Sequence, residues 1–147
     1  MMGFLYKRAE FQENLSYNGF RFEVKRMILY FMEMTDMDFE ITEYKRSTVI
    51  YSSGRIDSST APELEEALNQ LIEKGQYNII FDMRDITFVS SAGWWALIRV
   101  QKEVKRLNRG ELVLVKLDER IQKSMDLVGI RSYFKIHDQL IEAVGDF

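Results

Sequence analysis

The chain has 147 residues and a net charge of −3, with no cysteine, one histidine and one proline. These counts exclude zinc fingers, iron–sulfur sites and cysteine nucleophiles, and the acidic balance argues against nucleic acid as a partner. The 46% hydrophobic and 29% charged residues are the proportions of a folded globular protein.

The length corresponds to one domain, since domains usually hold about 100–200 residues. The best candidate for a membrane segment, Met27–Met32, has only six residues, whereas a membrane-spanning helix needs about 20. We therefore expect a cytoplasmic protein without membrane insertion. No cofactor, metal site or catalytic residue is predicted.

Residues 1–36 are set apart by their aromatic content, with eight of the 19 Phe, Tyr and Trp residues. Asn18–Gly19 indicates a turn, but periodicity is otherwise weak. Three interpretations stay open: a packed N-terminal arm, an arm that binds a partner or forms a homodimer, or a segment upstream of a true start at Met34 or Met37. We treat 1–36 as an N-terminal extension of uncertain structure and 37–147 as the domain.

The domain is predicted to begin with two strands, followed by alternating helices and strands. Apolar–polar alternation at 39–44 and a β-branched run at 47–52 predict the strands, the second ended by Gly54. Thr60 is the predicted N-cap of the first helix, with Glu63 as its capping-box partner. Gly75 is predicted to end that helix. Apolar runs predict three further strands, at 78–82, 111–116 and 133–136. One-sided apolar stripes predict the helices between and after them, from Ser90-Ser91 to about Asn108, from Asp118 or Glu119 to Gly129, and at 138–145 with His137 opening the last one.

Strands that alternate with helices form a largely parallel sheet. The sequence therefore predicts an α/β fold with a mixed, largely parallel sheet of four to five strands and about four helices, plus the N-terminal arm. Because sites form at the carboxyl ends of parallel strands, the loops 54–60, 87–93 and 116–119 should meet. The first two are rich in hydroxyls, which either cap helices or offer a helix N-terminus where a phosphate is stabilised.

Two motifs in these loops resemble a known family. The run Asp82–Gly93 (Asp-Met-Arg-Asp-Ile-Thr-Phe-Val-Ser-Ser-Ala-Gly) and the run Gly54–Ala61 are similar to the signatures of STAS domains, and most closely to bacterial anti-sigma factor antagonists. The resemblance covers residues 38 to about 145 and implies a STAS-like fold. It also implies a regulatory protein rather than an enzyme, one that binds an anti-sigma factor that is often a serine kinase.

The resemblance further implies a partner switch in transcription regulation. In this family the kinase phosphorylates a serine at the start of the second helix, which ends the binding, and a phosphatase restores it. Aligned on Gly93, that serine is Ser91, with Ser90 as the second candidate. Ser90 stands where the family usually has Asp, and Ala92 where it has Ser or Thr.

Partner contacts are expected around the same serine. Asp57 matches a family position involved in partner contact, although a carboxylate near a helix start also has a structural role. A helical wheel places Trp95 outside the apolar arc, on the side of Arg99, where it is either an interface hot spot or packs on the N-terminal arm. The predicted partner-binding residues are Asp57, Ser58, Ser59, Ser90, Gly93, Trp95 and Arg99.

Two other functions stay open. The first is a STAS scaffold subunit of a transporter or stressosome-like assembly that is not phosphorylated, which the altered motif and the bulky Trp95 favour. The second is a small-ligand or nucleotide sensor at the hydroxyl-lined edge, although the chain has no phosphate-binding glycine motif to support it.

Overall fold

The computed structural model describes residues 3–5, 37–106 and 110–147 of the chain. Within these ranges, strands and helices alternate from the third strand onward. The strands are β1 (Gly3–Leu5), β2 (Glu40–Glu43), β3 (Thr48–Ile56), β4 (Asn78–Val89), β5 (Glu111–Val115) and β6 (Lys135–His137). The helices are α1 (Ala61–Glu73), α2 (Ser91–Arg106), α3 (Glu119–Val128) and α4 (Leu140–Asp146), with a 3-10 turn at Arg131–Tyr133.

The described strands form one mixed sheet in the order β1-β2-β3-β4-β5-β6. The neighbours β1, β2 and β3 are antiparallel, and β3 to β6 are parallel. A helix connects each parallel pair, as crossover connections require. The predicted α/β fold class is confirmed, with five strands in 37–147 and β1 in the N-terminal extension.

Strands β3 and β4 are longer than the sequence predicted. The prediction that Gly54 ends β3 is wrong, because Gly54 (φ 97°) forms a bulge after which pairing with β4 resumes as far as Ile56. Likewise β4 continues to Val89, so Thr87 lies in a strand and not in a loop. The C-terminal halves of both strands are held by backbone pairing with each other across two register shifts, which side-chain periodicity does not reveal.

Helices cover both faces of the sheet. Helices α1, α2 and α3 bury their apolar stripes against one face, where Leu68, Phe81 and Trp94 are fully buried. The shorter α4 covers the other face, with Ala143 in a second cluster around Ile80. Since apolar burial is the dominant stabilising term in folding, α2 is held firmly against the sheet, and its first turn has a defined position at the sheet edge.

Most helix ends follow the predicted signals. Gly75 and Gly129 take the left-handed conformation beyond α1 and α3, with φ of 83° and 74°. Asp118 caps α3, since its Oδ1 accepts from the Ile121 N–H at 2.8 Å. His137 was predicted to open the last helix, but it ends β6, because it pairs with β5 as the last residue of a parallel ladder.

Several predictions lie outside the described residues. These are the turn at Asn18–Gly19, the homodimer through the N-terminal arm, and the end of the second helix beyond Arg106. In the part of the chain that the structure describes, no helix combines the length and the apolar character that crossing a membrane demands.

Candidate functional site

The start of α2 and the loop after β3 are joined at the edge of the sheet that the C-terminal ends of β3 and β4 form. The Ser90 N–H donates to the Ile56 carbonyl at 2.8 Å, one residue beyond the pairing of Ile56 with Val89. The loop between β3 and α1, residues 57–60, therefore lies next to the first turn of α2. The structure thus brings together two of the three loops that the sequence predicted to meet.

The third loop, residues 116–118, leaves the sheet well before the C-terminal end of β4. Strand β5 ends where Val115 pairs with Asp82, seven residues before the end of β4. The Lys116 N–H donates to the His137 carbonyl at 3.0 Å, so this loop is tied to β6. The expected meeting of three loops is wrong in this respect, because β4 extends well beyond its neighbour β5.

Ser90 is the N-cap of α2. The Gly93 N–H donates to Ser90 Oγ at 3.3 Å, and the Trp94 N–H donates to the Ser90 carbonyl at 3.0 Å. A hydroxyl that accepts from the N–H of the third residue of a helix satisfies one of the backbone groups that have no partner within the helix. The hydroxyl of Ser90 is therefore occupied, and its residue is only half-exposed.

Ser91 differs from Ser90 in its exposure and in the hydrogen bonding of its hydroxyl. It is the first residue of α2 and is exposed. Among the hydrogen bonds between described residues, none uses the Ser91 hydroxyl. Its oxygen is accessible at a helix N-terminus, the position where added negative charge is stabilised by the helix dipole and free N–H groups.

This difference predicts unequal effects of two alanine substitutions on stability. Ser90→Ala should lower the free energy of unfolding by about 1 kcal/mol, the usual cost of losing an N-cap, and Ser90→Asp should restore it. Ser91→Ala should change it by less than about 0.5 kcal/mol, as at other exposed positions. Urea denaturation followed by circular dichroism measures all three variants, and equal losses for both alanines would contradict the assignment of the cap.

Gly93 is a packing residue. It is buried, and a Cβ on it would lie 2.7 Å from Ile56 Cγ2 and 2.9 Å from Val89 Cγ1. These distances are shorter than normal carbon–carbon contacts of about 3.5–4.0 Å. Gly93 therefore allows α2 to approach the ends of β3 and β4 closely. The predicted partner-binding role for Gly93 has no exposed surface to support it.

Asp57 organises the loop before α1. Its Oδ1 accepts from the Ser59 hydroxyl at 2.7 Å and from the Ser59 N–H at 3.0 Å. These bonds hold the pKa of the Asp57 carboxyl below its ordinary value, and the bond from the Ser59 hydroxyl has the largest effect. The carboxylate is therefore charged at neutral pH and partly exposed, beside the start of α2.

The Thr60 hydroxyl closes the same loop. It donates to the Arg55 carbonyl at 2.8 Å and accepts from the Asp57 N–H at 2.9 Å. Thr60 occupies the N-cap position of α1, but its side chain does not cap the helix. The predicted capping box with Glu63 is therefore wrong, because the buried hydroxyl bonds backward into the loop. Ser58, which was predicted to contact a partner, is exposed beside it.

The two tryptophans of α2 have opposite environments. Trp94 is fully buried, and its Nε1–H donates to the Ser124 hydroxyl of α3 at 2.9 Å. Trp95 points outward and is 47% exposed, as its place on the helical wheel predicted. Arg99 follows one turn later, and its guanidinium donates two hydrogen bonds of 2.8 Å to the Glu65 carboxylate of α1.

One buried polar residue of α2 was missed by the sequence analysis. Gln101 is 1% exposed; its Nε2 donates to the Leu112 carbonyl at 3.0 Å, and its Oε1 accepts from the Leu112 N–H at 2.8 Å. The side-chain amide therefore pairs with β5 as a neighbouring peptide group would. The sequence feature that could have revealed its burial was its position on the apolar stripe of α2, one turn after Leu97.

Comparison with known sequences points to one family. A sequence model of the STAS domain matches residues 23–143. BtrV of Bordetella bronchiseptica, a candidate anti-sigma factor antagonist, is 28% identical over 94 residues, which are 64% of this chain and 80% of that protein. The anti-sigma-B factor antagonist of Staphylococcus aureus is 21% identical over 103 residues, which are 70% of this chain and 94% of that protein.

Solved structures show the same fold. An anti-sigma factor antagonist from Mycobacterium paratuberculosis has a TM-score of 0.68 at 20% identity, covering 76% of this chain and 93% of that one. The phosphorylated form of SpoIIAA from Bacillus has a TM-score of 0.57 at 17% identity, with coverages of 74% and 97%. The murine anion transporter Slc26a9 has a TM-score of 0.63 at 11% identity, and the match covers 82% of this chain but 24% of the transporter.

Proposed function

The chain belongs to the STAS domain family, and from this premise we propose that it is a cytoplasmic anti-sigma factor antagonist. It binds an anti-sigma factor that is also a serine kinase, and phosphorylation of Ser91 ends that binding. The antagonists among its relatives support this choice within the family. The role is regulatory: the chain acts by occupying the anti-sigma factor, not by catalysing a reaction.

The observation that carries the proposal is the contrast between the two serines at the start of α2. Ser90 uses its hydroxyl to cap the helix, whereas the Ser91 hydroxyl is exposed and makes no hydrogen bond to the described residues. A kinase must reach the acceptor oxygen with the phosphoryl group of ATP. Ser91 meets this requirement without loss of the cap, and it is also the serine that the motif alignment selects.

The surroundings of Ser91 suit a charge switch. A phosphate adds about −1.5 to −2 charges, and the N-terminus of α2 tolerates them because its N–H groups and dipole favour negative charge. The domain therefore stays folded when it is modified. The same charge at a contact surface causes repulsion and desolvation in the complex, so the switch acts on binding.

The neighbouring carboxylate of Asp57 strengthens this effect. Its lowered pKa keeps it charged at neutral pH, and the bond from Ser90 to Ile56 places the two loops side by side. In the unmodified protein, the Asp57 carboxylate is the anionic group of these two loops. After phosphorylation, the edge carries two adjacent anionic groups, and a partner that accommodates the first is repelled by the pair.

Phosphorylation and binding can be tested with separately purified proteins. The histidine-kinase-like ATPase proteins encoded in the source genome are each incubated with the chain and Mg-ATP, and the modified residue is located by fragmentation mass spectrometry. We expect one phosphate on Ser91, and complex formation by calorimetry before but not after modification. Omission of ATP is the control, and a cognate phosphatase should restore binding.

A complex that forms with an unmodified Ser91 under every condition would contradict the switch and favour the scaffold role. The likeness to a domain of an anion transporter is the observation behind that alternative. The motif also differs from the usual one at Ser90 and Ala92. In a scaffold subunit, the same edge would hold its neighbour constantly, and phosphate transfer would be absent.

A further inference from the structure

We propose that Trp95 is the apolar anchor of the interface at Ser91, and that the anti-sigma factor receives its indole in a pocket of aliphatic side chains. This inference rests on the proposed function, since it specifies how the same partner is recognised. It also assigns little of the affinity to the basic side chains on the same face of α2.

The position of Trp95 links it to the acceptor serine. The two residues are four apart on α2, and residues at this spacing lie on one face on adjacent turns. Long helical side chains lean toward the N-terminus, which in this case is the direction of Ser91. A partner that covers the Ser91 hydroxyl therefore also covers the indole, which is 47% exposed.

Both arginines farther along this face are paired with a glutamate within the domain. Arg99 makes two hydrogen bonds to the Glu65 carboxylate, and Arg106 makes two to the Glu103 carboxylate at 3.1 and 2.7 Å. Lys102 Nζ lies 5.7 Å from the centre of the Tyr133 ring. An acidic partner surface would therefore meet guanidinium groups whose charge is already offset by a glutamate of the same domain.

These observations favour apolar recognition over electrostatic recognition. Tryptophan is the side chain most often found as a binding hot spot, and such residues fill desolvated pockets near the centre of an interface. A half-exposed indole is complementary to an apolar pocket with one acceptor for Nε1–H. Charged side chains at the rim, in contrast, mainly change the association rate and the salt dependence.

The test compares the affinity of variants for the anti-sigma factor that binds the wild-type chain, with both proteins purified. Trp95→Ala should raise Kd by about 30-fold or more, and Trp95→Phe should recover part of the loss. The matched control is Leu127→Ala, which removes an 89% exposed apolar side chain from α3, and Lys102→Ala tests the basic face. Both controls should bind like the wild type.

Salt provides a second readout. Between 50 mM and 300 mM NaCl, the wild-type Kd should change by less than about threefold, because screening weakens exposed charge pairs but not apolar burial. A steep salt dependence, or equal binding by Trp95→Ala and the wild type, would overturn the inference while the proposed function stands. Failure of the wild type to bind any candidate anti-sigma factor would overturn both.

Two other occupants of the Trp95 face would also overturn the inference. A second copy would give concentration-dependent dimers by analytical ultracentrifugation that Trp95→Ala abolishes. A contact with residues 1–36 that buries the indole would make Trp95→Ala lower the unfolding temperature of the free protein. If the inference is right, Trp95→Ala leaves the oligomeric state and the unfolding temperature of the free protein unchanged.

Discussion

Ser91→Asp is expected to weaken binding of the anti-sigma factor on the order of a hundredfold, which corresponds to about 2.7 kcal/mol. An aspartate at the first position of α2 is compatible with the helix, since the dipole favours it there. We therefore expect the loss to fall on the complex, where the added charge would lie near Asp57 in the proposed contact surface. Calorimetry with the purified partner measures it.

The matched control for this prediction is Ser91→Asn, which has the shape of aspartate without its charge. It should bind more tightly than Ser91→Asp, and Ser91→Ala should bind like the wild type but accept no phosphate. Ser90→Ala should still accept phosphate at Ser91, although its helix start is less stable. If Ser91→Asn and Ser91→Asp bind equally weakly, the effect is steric, and the charge switch is wrong.

Trp94→Ala should lower the free energy of unfolding by about 3–5 kcal/mol, the usual range for truncation of a large buried aromatic residue. Trp94 is fully buried in the cluster between the helices and the sheet. Its removal leaves a cavity and also deprives α3 of the hydrogen bond from Nε1 to Ser124. Urea denaturation followed by circular dichroism at 222 nm measures the loss.

Two variants separate the cavity from the hydrogen bond. Trp94→Phe keeps part of the ring volume but removes the Nε1–H donor, whereas Ser124→Ala removes the acceptor and leaves the ring in place. Each should cost less than Trp94→Ala, and Ser124→Ala should cost about 1–3 kcal/mol because a buried donor loses its partner. A loss below about 1 kcal/mol for Trp94→Ala would contradict the packing described for α2.

The element order could be predicted because its signals are local. The stripe of α1 from Leu64 to Ile72 repeats at the helical period, and Gly75 and Gly129 end their helices by a backbone conformation that glycine adopts without strain. The extents of β3 and β4 could not be predicted in the same way. Their C-terminal halves are strands because Ser53 to Ile56 pair with Asp85 to Val89, and pairing partners distant in sequence leave no periodic signal.

The candidate site shows the same division. The motif around Gly93 selected Ser91 by alignment, and the wheel placed Trp95 outward. Neither indicated that Arg99 is paired with Glu65, which lies 34 residues away in sequence. The role of Gly93 was also hidden, since the side chains that it meets come from the ends of two other strands.

The sequence by itself determined the α/β order, most of the helix ends and the pair of serines at the start of α2, because propensity, periodicity and capping act over a few neighbouring residues. Only the tertiary structure distinguished the two hydroxyls, one held by the first turn of α2 and one exposed. It also showed that Arg99 and Arg106 of α2 are paired with glutamates while Trp95 stays 47% exposed. These differences depend on which groups meet after the chain has folded, and the free energy of such contacts is not encoded at any single position.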